Sequence, residues 1–361
     1  MPTPPTGALC AYVVEPEFED ALDAELGPSG VRTPRWPGVL TRPPGAKADP
    51  MFARQVLPEA VLVKAKTSEA LGDLVIQEVA GQLQAAAAKE VAGLHVFTPH
   101  EGPYRSCAPL LSGLRSRLKT HCQTSHVRLL PPDEKALLRG WKQGSPFVQV
   151  MVVSRTSALV SAVTPPALPS GGFVTAPWPA GLAPVSTDKQ APSRAYRKLE
   201  ETFAWLGRAP LPDQTVVDLG GAPGGWAYTA LKRGAFVTAV DRAPLAAPAA
   251  GHPRLQQVRG DAFAFVPPAP VDWLLCDVIC EPHRSVTLIE SWASKRWCRQ
   301  LVVTIKFKGA TGNHAIVEPV IEVLLRTGFA FARAKHMHNN HNEIEVFAHT
   351  AESGQVSGFV K

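Results

Sequence analysis

The sequence predicts an α/β chain in two parts: a Rossmann-like domain over residues 186–361, preceded by an α+β region over 1–185. Three observations carry that prediction. The stretch VVDLGGAPGGW (216–226) reads as a buried strand, a glycine-rich turn and the start of a helix, the opening half of a nucleotide-binding βαβ unit. Apolar strands then alternate with amphipathic stretches to the C-terminus, the pattern of a parallel sheet covered by helices. Between the halves, residues 164–192 (TPPALPSGGFVTAPWPAGLAPVSTDKQAP) are rich in proline and glycine, the composition of a connecting segment.

A chain of 361 residues favours two domains over one. Its 45% hydrophobic and 19% charged content excludes a disordered chain. The 35 prolines, about twice ordinary usage, then mean rigid loops. A net charge of +6 permits a polyanionic partner without requiring one. No apolar run approaches the ~18 residues of a membrane span. The start, MPTPPTGALC, has neither the basic nor the apolar segment of a signal peptide. Six cysteines form no C-x-x-C pair, which argues against a zinc site or a disulfide framework. The expectation is a soluble cytoplasmic protein with reduced thiols.

Along the first half, ALCAYVV (8–14) reads as a strand and residues 15–26 as a helix with Phe18, Leu22 and Leu26 on one face. Residues 31–43 are proline-broken and short-stranded. One long helical pattern is expected over 70–92, a strand over 94–97, an amphipathic helix over 107–120, and strands over 147–153 and 158–163. Arg115, Arg117 and Lys119, followed by Lys135, Arg139 and Lys142, could meet RNA phosphates; an ordinary solvated face is an equal reading.

In the second half, Ser193 is expected to cap a helix running to Leu206, with Lys198 on it. After the glycine loop come a helix (226–233) and the strand FVTAVD (236–241). Asp241 stands about 20 residues beyond the loop, where an acidic residue commonly bonds ribose hydroxyls. A short strand ends at Gly260-Asp261, VDWLLCD (271–277) ends on Asp277, and LVVTIK (301–306) ends on Lys306. Helices over 284–296 and 316–327 and strands near 329–334 and 344–348 complete the sheet. Asp218, Asp241, Asp261, Asp277 and Lys306 thus gather at strand carboxyl ends, which line one crevice in an open α/β sheet. An ammonium ending an apolar strand needs a partner, and Asp277 on a neighbouring strand is the natural one.

With these residues in hand the chain resembles the FtsJ-type ribose 2′-O-methyltransferases. DLGGAPGGW, Lys198 in SRAYRKLEE, Asp277 in LLCD, Lys306 in VVTIK and Glu343 in NEIEV match that family's cofactor loop and its Lys-Asp-Lys-Glu tetrad, in order. APSRAYRKLEE, ICEPHRSVTLIESWASKRWCRQLVVTIK and FARQ (52–55) are similar to the bacterial 23S rRNA cytidine 2′-O-methyltransferase branch, whose members carry a THUMP RNA-binding region before the catalytic domain. Ala195 departs from that pattern, where a serine stands near the cofactor.

The resemblance implies an S-adenosylmethionine-dependent methyltransferase domain after a THUMP-like RNA-binding region. Its RNA would be 23S rRNA or a precursor of the large ribosomal subunit, with no DNA and no membrane involved. Gly220, Ala222, Pro223, Gly224, Gly225 and Trp226 would hold the methionine part of the cofactor, Asp241 its ribose and Asp261 its adenine. Lys306 would take the 2′-hydroxyl proton, its pKa lowered by Lys198 and by desolvation. Asp277 would orient Lys306 and face the sulfonium, and Glu343 would position Lys198 or the ribose.

Other chemistries fit the residues less well. Base N-methylation usually carries an N-P-P-Y-like element where this chain has Cys276-Asp277-Val278-Ile279. Cys276 and Cys280 lack the flanking residues of a carbon-methylating nucleophile and are expected in the core. His336, His338 and His341 look like a ligand cluster, but Lys306 already supplies a base, so no metal is expected. A small-molecule O-methyltransferase would not need the long N-terminal half, and an assembly factor with vestigial catalysis would not need the tetrad.

Overall fold

The computed structural model describes residues 7–28, 36–47, 49–131, 133–168, 172–307 and 313–351. Residues 31–35 of the proline-broken stretch and 169–171 of the connecting segment lie outside these. The chain divides into two compact units, Met1–Leu182 and Ala183–Lys361.

The first unit runs β1 (Leu9–Val13), α1 (Glu19–Leu26), β2 (Val39–Arg42), β3 (Gln55–Lys64), α2 (Ser68–Ala85), β4 (Glu90–Val91), β5 (Gly93–Phe97), α3 (Ala108–Thr124), β6 (Arg128–Leu129), α4 (Glu134–Lys142), β7 (Phe147–Ser154) and β8 (Ser157–Val163). Six strands form one sheet in the order β2-β1-β3-β8-β7-β5, and β4 pairs with β6. Alternation along β7 and β8 sends successive side chains to opposite faces. Val148, Val150, Val152, Ala158, Val160 and Ala162 pack with Leu71, Val75 and Val79 of α2 and Leu114 and Leu118 of α3. Met151, Val153 and Leu159 share the other face's core with Ala11, Val13 and Leu57.

Three departures from the sequence reading occur here. The helix expected over 70–92 stops at Ala85; Ala87 turns left-handed at φ 48, and Ala88 N donates back to Leu83 O at 2.9 Å. The alanine run offers good helix propensity and no glycine or proline stop, so the pattern overran. The strand β3 was not anticipated, because Pro58 interrupts it. Glu59 has φ 50, and the β1–β3 register shifts from Leu9 opposite Ala60 to Ala11 opposite Leu57; the proline sits in a bulge, where a strand tolerates it. The short helix α4 was not anticipated either, although Asp133 caps it by accepting from Ala136 N at 2.8 Å.

FARQ proves to be a fastening. Phe52 stacks on Phe18 at 5.7 Å, and Arg54 pairs with Glu15 at 3.1 Å. Gln55 Nε2 donates to Ala176 O and Trp178 O, each at 3.1 Å, while its Oε1 accepts from Ala176 N at 2.8 Å. The connecting segment is therefore ordered against the sheet at this point.

The second unit runs α5 (Tyr196–Leu206), β9 (Thr215–Leu219), α6 (Gly225–Leu231), β10 (Phe236–Asp241), β11 (Leu255–Arg259), β12 (Val271–Cys276), α7 (Pro282–Ser294), β13 (Cys298–Lys306), α8 (Val317–Arg326), β14 (Phe329–Lys335) and β15 (Glu343–Thr350). Its sheet has the order β11-β10-β9-β12-β13-β15-β14. The first five strands are parallel and β15 is antiparallel to both neighbours. Strand order reverses between β9 and β12, so their carboxyl ends flank the crevice where α/β sheets bind ligands. Leu199, Phe203, Trp226, Ala227 and Trp273 fill the core on the helix side.

Ser193 does not cap α5. The helix begins after Ala195 with no side-chain cap. Residues 190–195 instead form bends and turns, and a Cβ added to Gly225 would run into Ser193 Oγ.

Candidate active site

Three strand ends and one helix build the site. Asp277 follows β12, Lys306 ends β13, Glu343 opens β15, and Lys198 projects from α5. Lys306 and Glu343 are direct partners in the antiparallel β13–β15 register, so their side chains share one face of the sheet. Lys198 Nζ lies 2.9 Å from Asp277 Oδ1 and 2.9 Å from Glu343 Oε1. Lys306 Nζ lies 2.9 Å from the same Asp277 Oδ1 and donates to the Asp277 backbone carbonyl at 3.0 Å. One carboxylate oxygen therefore holds two lysines.

The two lysines differ in surroundings. The Lys198 side chain is 8% exposed and that of Lys306 20%. Burial alone would pull the Lys198 ammonium down, but the Glu345, Asp277 and Glu343 carboxylates outweigh it and carry its pKa above the usual lysine value. Lys198 is thereby kept as a cation, while Lys306 stands nearer solvent.

Beside this cluster lies the glycine loop. Gly220 has φ 75, and a Cβ there would run into Val278, so only glycine lets β9 turn out against the segment after β12. Ala222 N donates to Asp241 Oδ2 at 3.0 Å and Ala243 N to Asp241 Oδ1 at 2.8 Å; one carboxylate joins the loop to the end of β10. Asp261 accepts from Phe263 N at 2.9 Å and pairs with Arg242 at 2.7 Å. Those bonds, the Phe263 N–H first, hold its carboxyl below the usual range. A cleft of about 210 Å³ opens between Gly220, Asp241, Asp261, Phe263, Val278, Ile279 and Arg284. Trp226, expected beside the cofactor, turns its indole into the core and donates to Ala195 O at 2.9 Å.

A family model described as FtsJ-like methyltransferase matches residues 191–355. Residues 191–355 thus form an FtsJ-like methyltransferase domain. A ribosomal RNA large subunit methyltransferase M (RlmM) from Laribacter hongkongensis is 37% identical over 191 residues, covering 50% of this chain and 54% of that one. The protein of the same name from Thauera aminoaromatica is 29% identical over 308 residues, covering 82% and 78%. The chain spans about half the length of most curated relatives it matches. A fibrillarin pre-rRNA processing protein of Methanococcus jannaschii aligns over 40% of this chain and 69% of its own, with a TM-score of 0.33 and 17% identity.

The FtsJ-like domain contains three residues that the sequence reading did not single out. Glu345 is fully buried, and Thr304 Oγ1 donates to its two oxygens at 3.1 and 3.0 Å. Asn340 Nδ2 donates to it at 3.1 Å. Burial pushes this carboxyl up to about 7. Glu201, one turn along α5 from Lys198, accepts from His338 N, Asn339 N and Asn339 Nδ2 at 2.8, 3.0 and 2.7 Å. It anchors the loop that leads into Glu343. Ile279 is 87% exposed and lines the cleft; an apolar side chain left bare at a pocket wall was the available signal.

The histidines of HMHNNHNE serve this loop. His336 Nε2 contacts His341 O at 2.8 Å, and the His338 backbone is the one Glu201 holds. Cys276 is buried as expected. Cys280, also expected in the core, is half-buried with Sγ 3.3 Å from Ser285 Oγ, because the chain has left β12 and runs along the cleft rim there.

Proposed function

We propose that the chain transfers a methyl group from S-adenosylmethionine to a ribose 2′-hydroxyl of RNA, with a cytidine of 23S rRNA or of its large-subunit precursor as substrate. The observation that carries this is Asp277 Oδ1 shared by Lys198 and Lys306, with Val278 and Ile279 of the cofactor cleft directly following. The cleft residues suit the cofactor: a glycine-only approach at Gly220, the carboxylates of Asp241 and Asp261 for hydroxyl and amine donors, and Ile279 and Phe263 for a flat ring. The cofactor supplies an electrophilic methyl group on a sulfonium.

Lys306 acts as the base. Without its third proton the amine has two N–H donors, matched by the Asp277 carbonyl at 3.0 Å and Asp277 Oδ1 at 2.9 Å. Its lone pair is then free to accept the 2′-hydroxyl proton. Lys198 stays charged and fixes the Asp277 carboxylate; Glu343 fixes Lys198. Much of the rate comes from this alignment.

RNA recognition belongs in this reading to the N-terminal unit, a THUMP-like region. A 2′-hydroxyl is present on every nucleotide, so selection must come from RNA shape and from bases read outside the tetrad. Among the described residues no helix is long and apolar enough to cross a membrane, and the site of action in this reading is the cytoplasm. Mass-spectrometric mapping of ribose methylation in rRNA from cells with and without the gene tests it. Loss of one 2′-O-methylcytidine from 23S rRNA is expected; an unchanged map would refute it.

A further inference from the structure

We propose that α4 of the N-terminal unit is a phosphate-binding face for RNA, and that the arginines of α3 are not. This rests on the reading of RNA as substrate and goes beyond it by assigning the surface. Lys135, Arg139 and Lys142 are exposed and fall at positions i, i+4 and i+7. At 3.6 residues per turn they occupy an arc of about 60°, spaced about 6 Å and then 4.5 Å along the axis. The opposite side of the helix buries Ala136, Leu137, Gly140 and Trp141.

The stripe is rigidly presented. Asp133 caps the helix, Glu134 accepts from Trp178 Nε1 at 3.1 Å, and Trp141 packs against Phe147 at 5.2 Å and Phe173 at 5.0 Å. These contacts engage the two acidic residues away from the stripe. None of the three cations forms a salt bridge or side-chain hydrogen bond among the described residues. The α3 arginines are engaged: Arg115 Nη2 donates to Val96 O at 3.0 Å, and Arg117 pairs with Asp73 of α2.

Helix stability does not account for the stripe. Arg139 and Lys142 in the last turn complement the helix dipole, but Lys135 sits in the first turn, where a cation opposes it. A rigid run of unpaired cations, one of them placed against the dipole, fits a polyanion laid along the helix.

The test uses the full chain and transcribed large-subunit rRNA, with binding measured against salt concentration. The triple variant Lys135→Gln, Arg139→Gln, Lys142→Gln is compared with Arg115→Gln, Arg117→Gln. The α4 variant is expected to lower the slope of log K against log salt by about 2 to 2.7, from ~0.7–0.9 per lost phosphate contact, and to leave S-adenosylhomocysteine affinity and far-ultraviolet circular dichroism unchanged. The α3 pair is expected to shift the slope by less than half as much. Each single α4 variant should account for about a third of the loss. A wild-type slope in the triple variant, or a larger loss in the α3 pair, overturns the assignment while leaving the methyltransferase reading intact. An unmodified chain that neither binds nor methylates rRNA overturns both.

Discussion

Asp277 holds Lys306 by two of its atoms: Oδ1 lies 2.9 Å from Nζ, and the backbone carbonyl accepts from the same nitrogen at 3.0 Å. This fixes where the remaining position on Nζ points and makes the lysine part of the β12–β13 framework. Lys306→Ala is expected to abolish methyl transfer with cofactor binding retained. Lys306→Arg is also expected to be inactive, because a guanidinium does not give up its proton in a protein. Single-turnover assays with calorimetry of cofactor binding check both, and full activity in either variant removes Lys306 as the base.

Asp241 joins the glycine loop to β10 through Ala222 N and Ala243 N. Its loss removes the tie that shapes the loop and, in the proposed reading, a contact with the cofactor's ribose. Asp241→Ala is expected to weaken S-adenosylmethionine binding by about 1.5–3 kcal/mol, read by calorimetry. Unchanged affinity would sink the assignment.

Asp218 and Glu345 are both fully buried carboxyls. Burial, with Asp277 and Asp241 nearby, pushes Asp218 up to about 7; burial likewise lifts Glu345 to about 7. In the unfolded chain such groups titrate near 4. Between about pH 4 and 7 the folded state therefore holds protons that the unfolded state has lost, and stability falls as pH rises through that window. Asp218→Asn and Glu345→Gln are expected to gain stability relative to wild type on going from pH 5 to pH 8. Denaturant unfolding at both pH values measures this; a variant-minus-wild-type difference that is flat with pH contradicts it.

Glu201 satisfies three donors of the 338–339 segment. Glu201→Ala removes that acceptor; Glu201 is buried but His338 is exposed and Asn339 half-buried, so the cost is about 1–3 kcal/mol. Because that loop delivers Glu343 to Lys198, kcat is expected to fall as well. Thermal unfolding and steady-state kinetics check the pair of effects, and a stable, fully active variant would show that the loop holds itself.

The catalytic half was legible because its signals are local and ordered. A glycine turn after an apolar strand, and charged residues ending strands, specify a crevice whatever packs behind it. Glu201 and Glu345 were not legible, since each buried carboxylate is defined by donors from a distant segment: His338 and Asn339 for one, Thr304 for the other. In the N-terminal unit, Pro58 hid β3 and the alanine run hid the end of α2. Propensity there was overridden by a bulge and by a left-handed residue at Ala87. The basic helices carried the right residue types, but only the fold separated Arg117, paired with Asp73, from the unpaired cations of α4.

The most direct measurement supplies the purified chain with S-adenosylmethionine and 23S rRNA carrying either ribose or 2′-deoxyribose at the target cytidine, followed by digestion and mass spectrometry. The account predicts one 2′-O-methylcytidine in the ribose substrate, and none in the deoxy substrate or with Lys306→Ala. A methyl group on a base, or methylation that persists in the deoxy substrate, would contradict it.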